Sequence, residues 1–158
     1  KVYNQSNCYK GLVLNIPCNW NEDTYFNRPI AEVEKTIDYA LENGYSLAWD
    51  GDASEPFFDF KKGVLQLSSD EENIMITQML RQKTFEDKTT TDEHNMHLIG
   101  KAKNKEGKTF YILKNSEGNN EMGGYIYMSK NALLLKTISL LVHKNGIPID
   151  VKSKSNLK

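Results

Sequence analysis

His94 lies in the run TTTDEHNMHLIG, and Asn115 closes the run KTFYILKNSEG. An imidazole is the side chain that takes and returns a proton near neutral pH. A carboxamide can orient that ring through its carbonyl oxygen without adding a full negative charge, so the ring can stay cationic beside a thiolate. In strand geometry His94, Met96 and Leu98 share one face, while Asn95, His97 and Ile99 share the other. If the two runs pair as a hairpin, Asn115 emerges at the end of the strand that partners His94. Its carbonyl then reaches one ring nitrogen and leaves the other for a thiol. On spacing alone, a histidine at a strand start is more often a hydrogen-bonded surface residue.

The nucleophile such a pair would serve is harder to find. The two cysteines are Cys8, in YNQSNCYKG, and Cys18, in NIPCNWNED. A reactive thiol normally sits at a helix N-terminus or beside a cation, where its pKa is lowered. Neither cysteine opens a helical pattern, so free structural thiols are expected, with a Cys8–Cys18 disulfide as the alternative. A metal is not expected either. His94 and His97 face opposite ways on a strand, although Asp92 and Glu93 adjoin them. Asp50, Asp52 and Glu55 in WDGDASE lack the remaining ligands of a calcium loop and read as a solvated turn. His143 ends an apolar strand and reads as structural or exposed. Asn4-Gln5-Ser6 is a formal glycosylation sequon without secretory context.

The elements that must position the pair follow from periodicity. Residues 1–26 read as extended and polar, with one apolar strand from Gly11 to Ile16 stopped by Pro17. Asn27-Arg28-Pro29 launches a helix whose Ile30, Val33, Ile37, Ala40 and Leu41 form one apolar stripe, ending at Gly44. Tyr45, Leu47 and Trp49 alternate as in a half-buried strand. Ser69-Asp70-Glu71-Glu72 has the form of a capping box and predicts a helix to about Lys83, with Ile76, Met79 and Leu80 as core contacts. Residues 84–91 form a polar connection. His94 to Lys103 and Lys108 to Lys114 are strands joined by the Asn104–Gly107 turn. A glycine-rich loop, Glu117 to Gly124, leads to a strand from Tyr125 to Met128. Ser129 caps a short helical turn, Thr137 to His143 is the last strand, and the basic tail from Lys144 is expected to fray. Helices early and antiparallel strands late give an α+β domain.

Composition narrows the class of partner. At 158 residues and 39% apolar, the chain can bury one core. A net charge of −1 makes no electrostatic case for nucleic acid or an anionic membrane. No apolar run approaches the roughly 20 residues that span a bilayer. With no initiator methionine and no signal-like stretch at Lys1, the chain is expected to be processed or cut from a longer one.

Several segments, taken in order, resemble the bleomycin hydrolase/aminopeptidase C branch of the papain-like cysteine peptidases. YFNRPIAEVEKTIDYALENGYSLAWDGDASE, residues 25–55, is similar to that family's helix and strand leading to the cleft. QMLRQKTFEDKTTTDEHNMHLIG resembles the segment whose histidine stands six residues before a glycine, here His94 and Gly100. GKTFYILKNSEG resembles the asparagine-bearing strand, and GGYIYMSKNALLLKTISLLVHKNGIP the closing strands. The resemblance covers about residues 10–148. It implies the C-terminal lobe of such an enzyme, an antiparallel, barrel-like sheet with two flanking helices, over residues 1–148. Residues 149–158 would be a flexible basic tail. It assigns His94 as general base and ion-pair partner and Asn115 as its orienting residue.

By the same resemblance, the nucleophilic cysteine and the oxyanion-hole glutamine belong to an N-terminal helical lobe. Their Q-x-x-x-C-W pattern is absent here, and only 93 residues precede His94. The expected activity is aminopeptidase cleavage by thiolate acyl transfer, without a cofactor and inactive in this chain alone. The expected partners are the missing helical lobe and a peptide substrate, and an exposed lobe interface would favour self-association. The relatives implied are mostly bacterial, cytosolic or envelope-associated, and nothing in the sequence chooses between those compartments. One departure stands out: Glu117 occupies the place of the tryptophan that shields the family's His–Asn bond. It leaves open the alternative of a non-catalytic, peptidase-like remnant that binds a peptide or a partner subunit.

Overall fold

The computed structural model describes residues 11–13, 20–22 and 24–154. Cys8, Cys18, the Asn4 sequon and the second half of the expected Gly11–Ile16 strand lie outside them. Among the described residues eight strands are formed: β1 (Gly11–Val13), β2 (Thr24–Phe26), β3 (Leu47–Gly51), β4 (Val64–Leu65), β5 (His94–Lys103), β6 (Thr109–Lys114), β7 (Tyr125–Ser129) and β8 (Thr137–Val142). Four helices accompany them among the same residues: α1 (Ile30–Glu42), α2 (Gln78–Glu86), α3 (Lys130–Lys136) and α4 (Ile149–Ser153). The fold is mixed α+β. A small β1–β2 pair stands apart from a six-stranded sheet of order β4-β7-β6-β5-β3-β8. Every pairing in that sheet is antiparallel except β4 with β7.

The β5–β6 hairpin forms where the sequence places it. Gly107 takes φ +83°, which its missing side chain permits, and the Asn104 carboxamide oxygen accepts from the backbone N–H groups of Glu106 and Lys108. The alternation read in Tyr45–Trp49 also holds in part. Leu47 and Trp49 are buried, Tyr45 packs partly against the core, and the strand continues to Gly51. With Met96, Leu98, Leu113, Ile126 and Met128 they build one apolar sheet face, which Ile37 and Ala40 of α1 and Leu133 of α3 cover. Full burial of each large side chain contributes roughly 1.5–3 kcal/mol. The buried Trp49 Nε1–H donates to Thr137 Oγ1 at 2.8 Å, so no donor is lost in that core.

The structure corrects several sequence expectations. The sheet is open, with β4 and β8 as its ends, so it is not closed into a barrel. Four helices flank it among the described residues rather than two. The capping box forms one residue earlier than read, with Ser68 Oγ donating to Glu71 Oε2 at 2.6 Å and Glu71 Oε2 accepting from Ser68 N–H. It opens only a 3₁₀ turn, Glu71–Asn73, because Glu72 is drawn instead to Leu67 N–H and Ser129 Oγ–H. The chain then runs extended until Thr77, whose hydroxyl accepts from Leu80 N–H and starts α2. This delay leaves Ile76 buried and Met79 80% exposed, so Met79 is no core contact. The stretch from Lys144 to Ser153, read from the sequence as an irregular tail, has regular structure. It forms a 3₁₀ turn and α4, held by Val151 at 1% exposure.

Candidate active site

His94 opens β5 directly opposite Gly51 of β3, on the sheet face that carries Met96 and Leu98. Asn115 follows the last residue of β6. Its backbone N–H donates to Gly124 O at 2.9 Å, which extends the β6–β7 ladder by one step and fixes where its side chain begins. The two side chains meet: His94 Nε2 lies 2.9 Å from Asn115 Oδ1. That oxygen also accepts from the backbone N–H of Ser116 at 2.8 Å. An N–H can donate only to the carbonyl end of a carboxamide, so the acceptor atom is identified and His94 Nε2 must carry the proton. In the neutral ring Nδ1 then bears the lone pair, which makes it the nitrogen able to take a proton from a thiol.

Burial reinforces the contact. Asn115 is 9% exposed and His94 half-buried, and the ring of Phe60 meets the imidazole edge-on, with centroids 6.2 Å apart and planes at 88°. Phe60 was not legible as a site residue, since it sits in a turn, PFFDFKKG, far from both His94 and Asn115 in sequence. Asn120 was missed as well. Its carboxamide accepts from Met122 N–H and Gly124 N–H and donates to Tyr125 O, folding the loop back so that Gly124 can meet Asn115. A Cβ on Gly124 would lie 2.9 Å from Glu117 O, so glycine is needed for that return. Glu117 itself is exposed, and among the described residues it forms no ion pair with His94.

The acidic residues of WDGDASE behave differently from a solvated turn. Asp52 is 2% exposed, and Lys136, also 2% exposed, lies 3.6 Å from its carboxylate, contacts Glu55 and donates to Thr89 O at 2.8 Å. Burial pushes the Asp52 carboxyl up, but the N–H and hydroxyl of Ser54, the N–H of Thr91 and the Lys136 charge together hold it below its usual value. No local pattern signals this network, because Lys136 arrives from the end of a distant helix. Asp50, two residues before Asp52, accepts from Ser139 Oγ at 2.9 Å and shares a hydrogen bond with Asp92. Burial first, and the shared proton with Asp92 second, push its carboxyl up to about 7.

His97 points to the exposed face and meets Ser46 Oγ at 2.7 Å, so it does not join His94. His143 stacks on Tyr45, with centroids 5.1 Å apart, and its Nδ1 accepts from Asn145 N–H. Among the described residues no group of three or more His, Cys, Asp or Glu side chains is placed to hold a metal, and no helix is long and apolar enough to cross a membrane.

No protein-family model matches the chain, and no curated protein matches it in sequence. Its fold does match solved structures. One is PepW from Lactobacillus rhamnosis HN001 (DR20), with a TM-score of 0.66 and 19% identity over 84% of this chain. The chain spans 30% of the length of PepW.

Proposed function

We propose that this chain is the His/Asn-bearing, C-terminal part of a papain-like cysteine aminopeptidase. The observation that carries the reading is the 2.9 Å contact between His94 Nε2 and Asn115 Oδ1, with Ser116 N–H on the same oxygen. It commits the ring to the tautomer whose Nδ1 can face a thiol. The structural similarity to a peptidase, PepW, agrees with the ordered resemblance of the sequence.

In the proposed reaction a cysteine thiol supplied by a helical lobe gives its proton to His94 Nδ1. The thiolate then attacks a peptide carbonyl. The imidazolium, held in plane by Asn115, protonates the leaving amine, and the acyl thioester remains. Water attacks that ester as Nδ1 takes its proton, and the thiol is regenerated. Asn115 is a positioning residue here, and His94 is the catalytic one. A second reading, a non-catalytic remnant, is favoured by Glu117 in the shielding position.

The test begins with the coding sequence upstream of Lys1. A Q-x-x-x-C-W segment there should, when co-expressed with this chain, release amino acids from short peptide amides. His94→Ala should lower that rate by about 10²–10⁴-fold, the usual contribution of a general acid–base. Activity that survives His94→Ala, or an unrelated upstream domain, refutes the assignment.

A further inference from the structure

β8 ends the six-stranded sheet, and among the described residues no strand pairs with its outer edge. Its sequence, TISLLV, has no charge and no proline. Exposed edges are normally protected by such residues, because their free N–H and C=O groups recruit other strands. A cavity of about 670 Å³ runs along this edge, and all six residues from Thr137 to Val142 line it. Successive strand residues face opposite sides, so a cavity touching six in a row follows the backbone edge rather than one face of the sheet. Its far wall comes from the Thr24–Arg28 stretch, from Val33 of α1 and from Arg81 of α2.

The charge of the cavity is one-sided. Arg28, Arg81 and Lys144 line it, and no described Asp or Glu does, although the whole chain carries 21 acidic against 20 basic residues. The Arg81 guanidinium donates to the backbone carbonyls of Leu134 and Thr137, at the start of the edge strand. Two of its five N–H donors are placed by those contacts, and among the described residues no carboxylate forms an ion pair with it. Its burial draws the guanidinium pKa down to about 10. A buried guanidinium is stabilised by a carboxylate presented in plane.

We propose that this cavity is a slot in which an extended peptide of a separate molecule adds as a strand to the free edge of β8, with a carboxylate of that peptide on Arg81. Strand addition supplies backbone hydrogen bonds as the main source of affinity, and the cavity walls take alternate side chains. At about 3.3 Å per residue, six residues of edge accommodate a segment of roughly the same length.

The test uses the full 158-residue chain and an acetylated hexapeptide, Lys-Thr-Val-Thr-Val-Thr, with a free C-terminal carboxylate. Controls are the same peptide as its C-terminal amide and a version N-methylated at alternate residues. The acid should bind at least tenfold tighter than the amide, the N-methylated peptide should not bind, and backbone exchange across residues 137–142 should slow at least tenfold. Arg81→Met should abolish the preference for acid over amide. Because Arg81 also holds the end of α3, that variant can fail to fold. Val33→Trp fills the slot from α1 instead, and in a chain with unchanged circular dichroism it should eliminate binding. Equal affinity for acid and amide, binding that ignores Val33→Trp, or no change in exchange at millimolar peptide overturns the proposal. Exchange already slow without peptide overturns it too, since a segment of this chain then covers the edge.

Discussion

The ring of His94 owes its tautomer to two donors converging on one oxygen, its own Nε2–H and the N–H of Ser116. Removing that oxygen should be visible without any catalytic assay. In the wild-type chain a slowly exchanging imidazole N–H resonance from His94 is expected, and in Asn115→Ala it should vanish as the ring turns to solvent. An unchanged resonance in Asn115→Ala would contradict the geometry. Asp50 gives a prediction with a sign. Its folded pKa of about 7 lies above its ordinary value of 3.8. Between about pH 4 and 7 the native state keeps a proton that the unfolded chain has released, so stability falls as pH rises through that window. Asp50→Asn should therefore raise stability at pH 8 by about 1–2 kcal/mol, after allowance for solvent screening, and leave it unchanged below pH 4. Urea titrations at the two pH values decide it, and an equal effect at both would refute the shift.

At the scale of elements, the start of α2 was the least legible feature, for a physical reason. SSDEEN satisfies a capping box in two registers, and only tertiary partners choose between them. Glu72 bonds Leu67 and Ser129, which spends the residue that the later register needs. The start of α2 falls to Thr77, where the extended backbone and the hydroxyl bond to Leu80 N–H define the cap. Thr77→Ala should cost about 1 kcal/mol of global stability, read by chemical denaturation. A neutral result would mean that α2 is held by packing alone. The hairpin β5–β6 was legible because its turn chemistry is local. The loop Ser116–Gly124 was not, since its shape depends on Asn120 reaching Tyr125.

Across the whole molecule, the buried Lys136 joins the end of α3 to the loop after β3 and to the segment that precedes His94. Lys136→Met strands Asp52 without its cation and should cost about 3–5 kcal/mol, measurable as a lower thermal midpoint. A double variant, Lys136→Met with Asp52→Asn, should recover part of that loss; failure to recover would show that the charge pairing is not the cause. The sequence by itself determined the α1 stripe, the β3 alternation, the hairpin and the placement of His94 at the start of one strand and Asn115 at the end of its neighbour, because periodicity and turn chemistry are local properties of the chain. Only the tertiary structure decided that the two side chains meet at 2.9 Å, that Phe60 packs on the ring, that Asp52 is buried against Lys136, and that the sheet stays open at β8. Those contacts join residues far apart in sequence, and no local pattern records which distant side chain will fill the space.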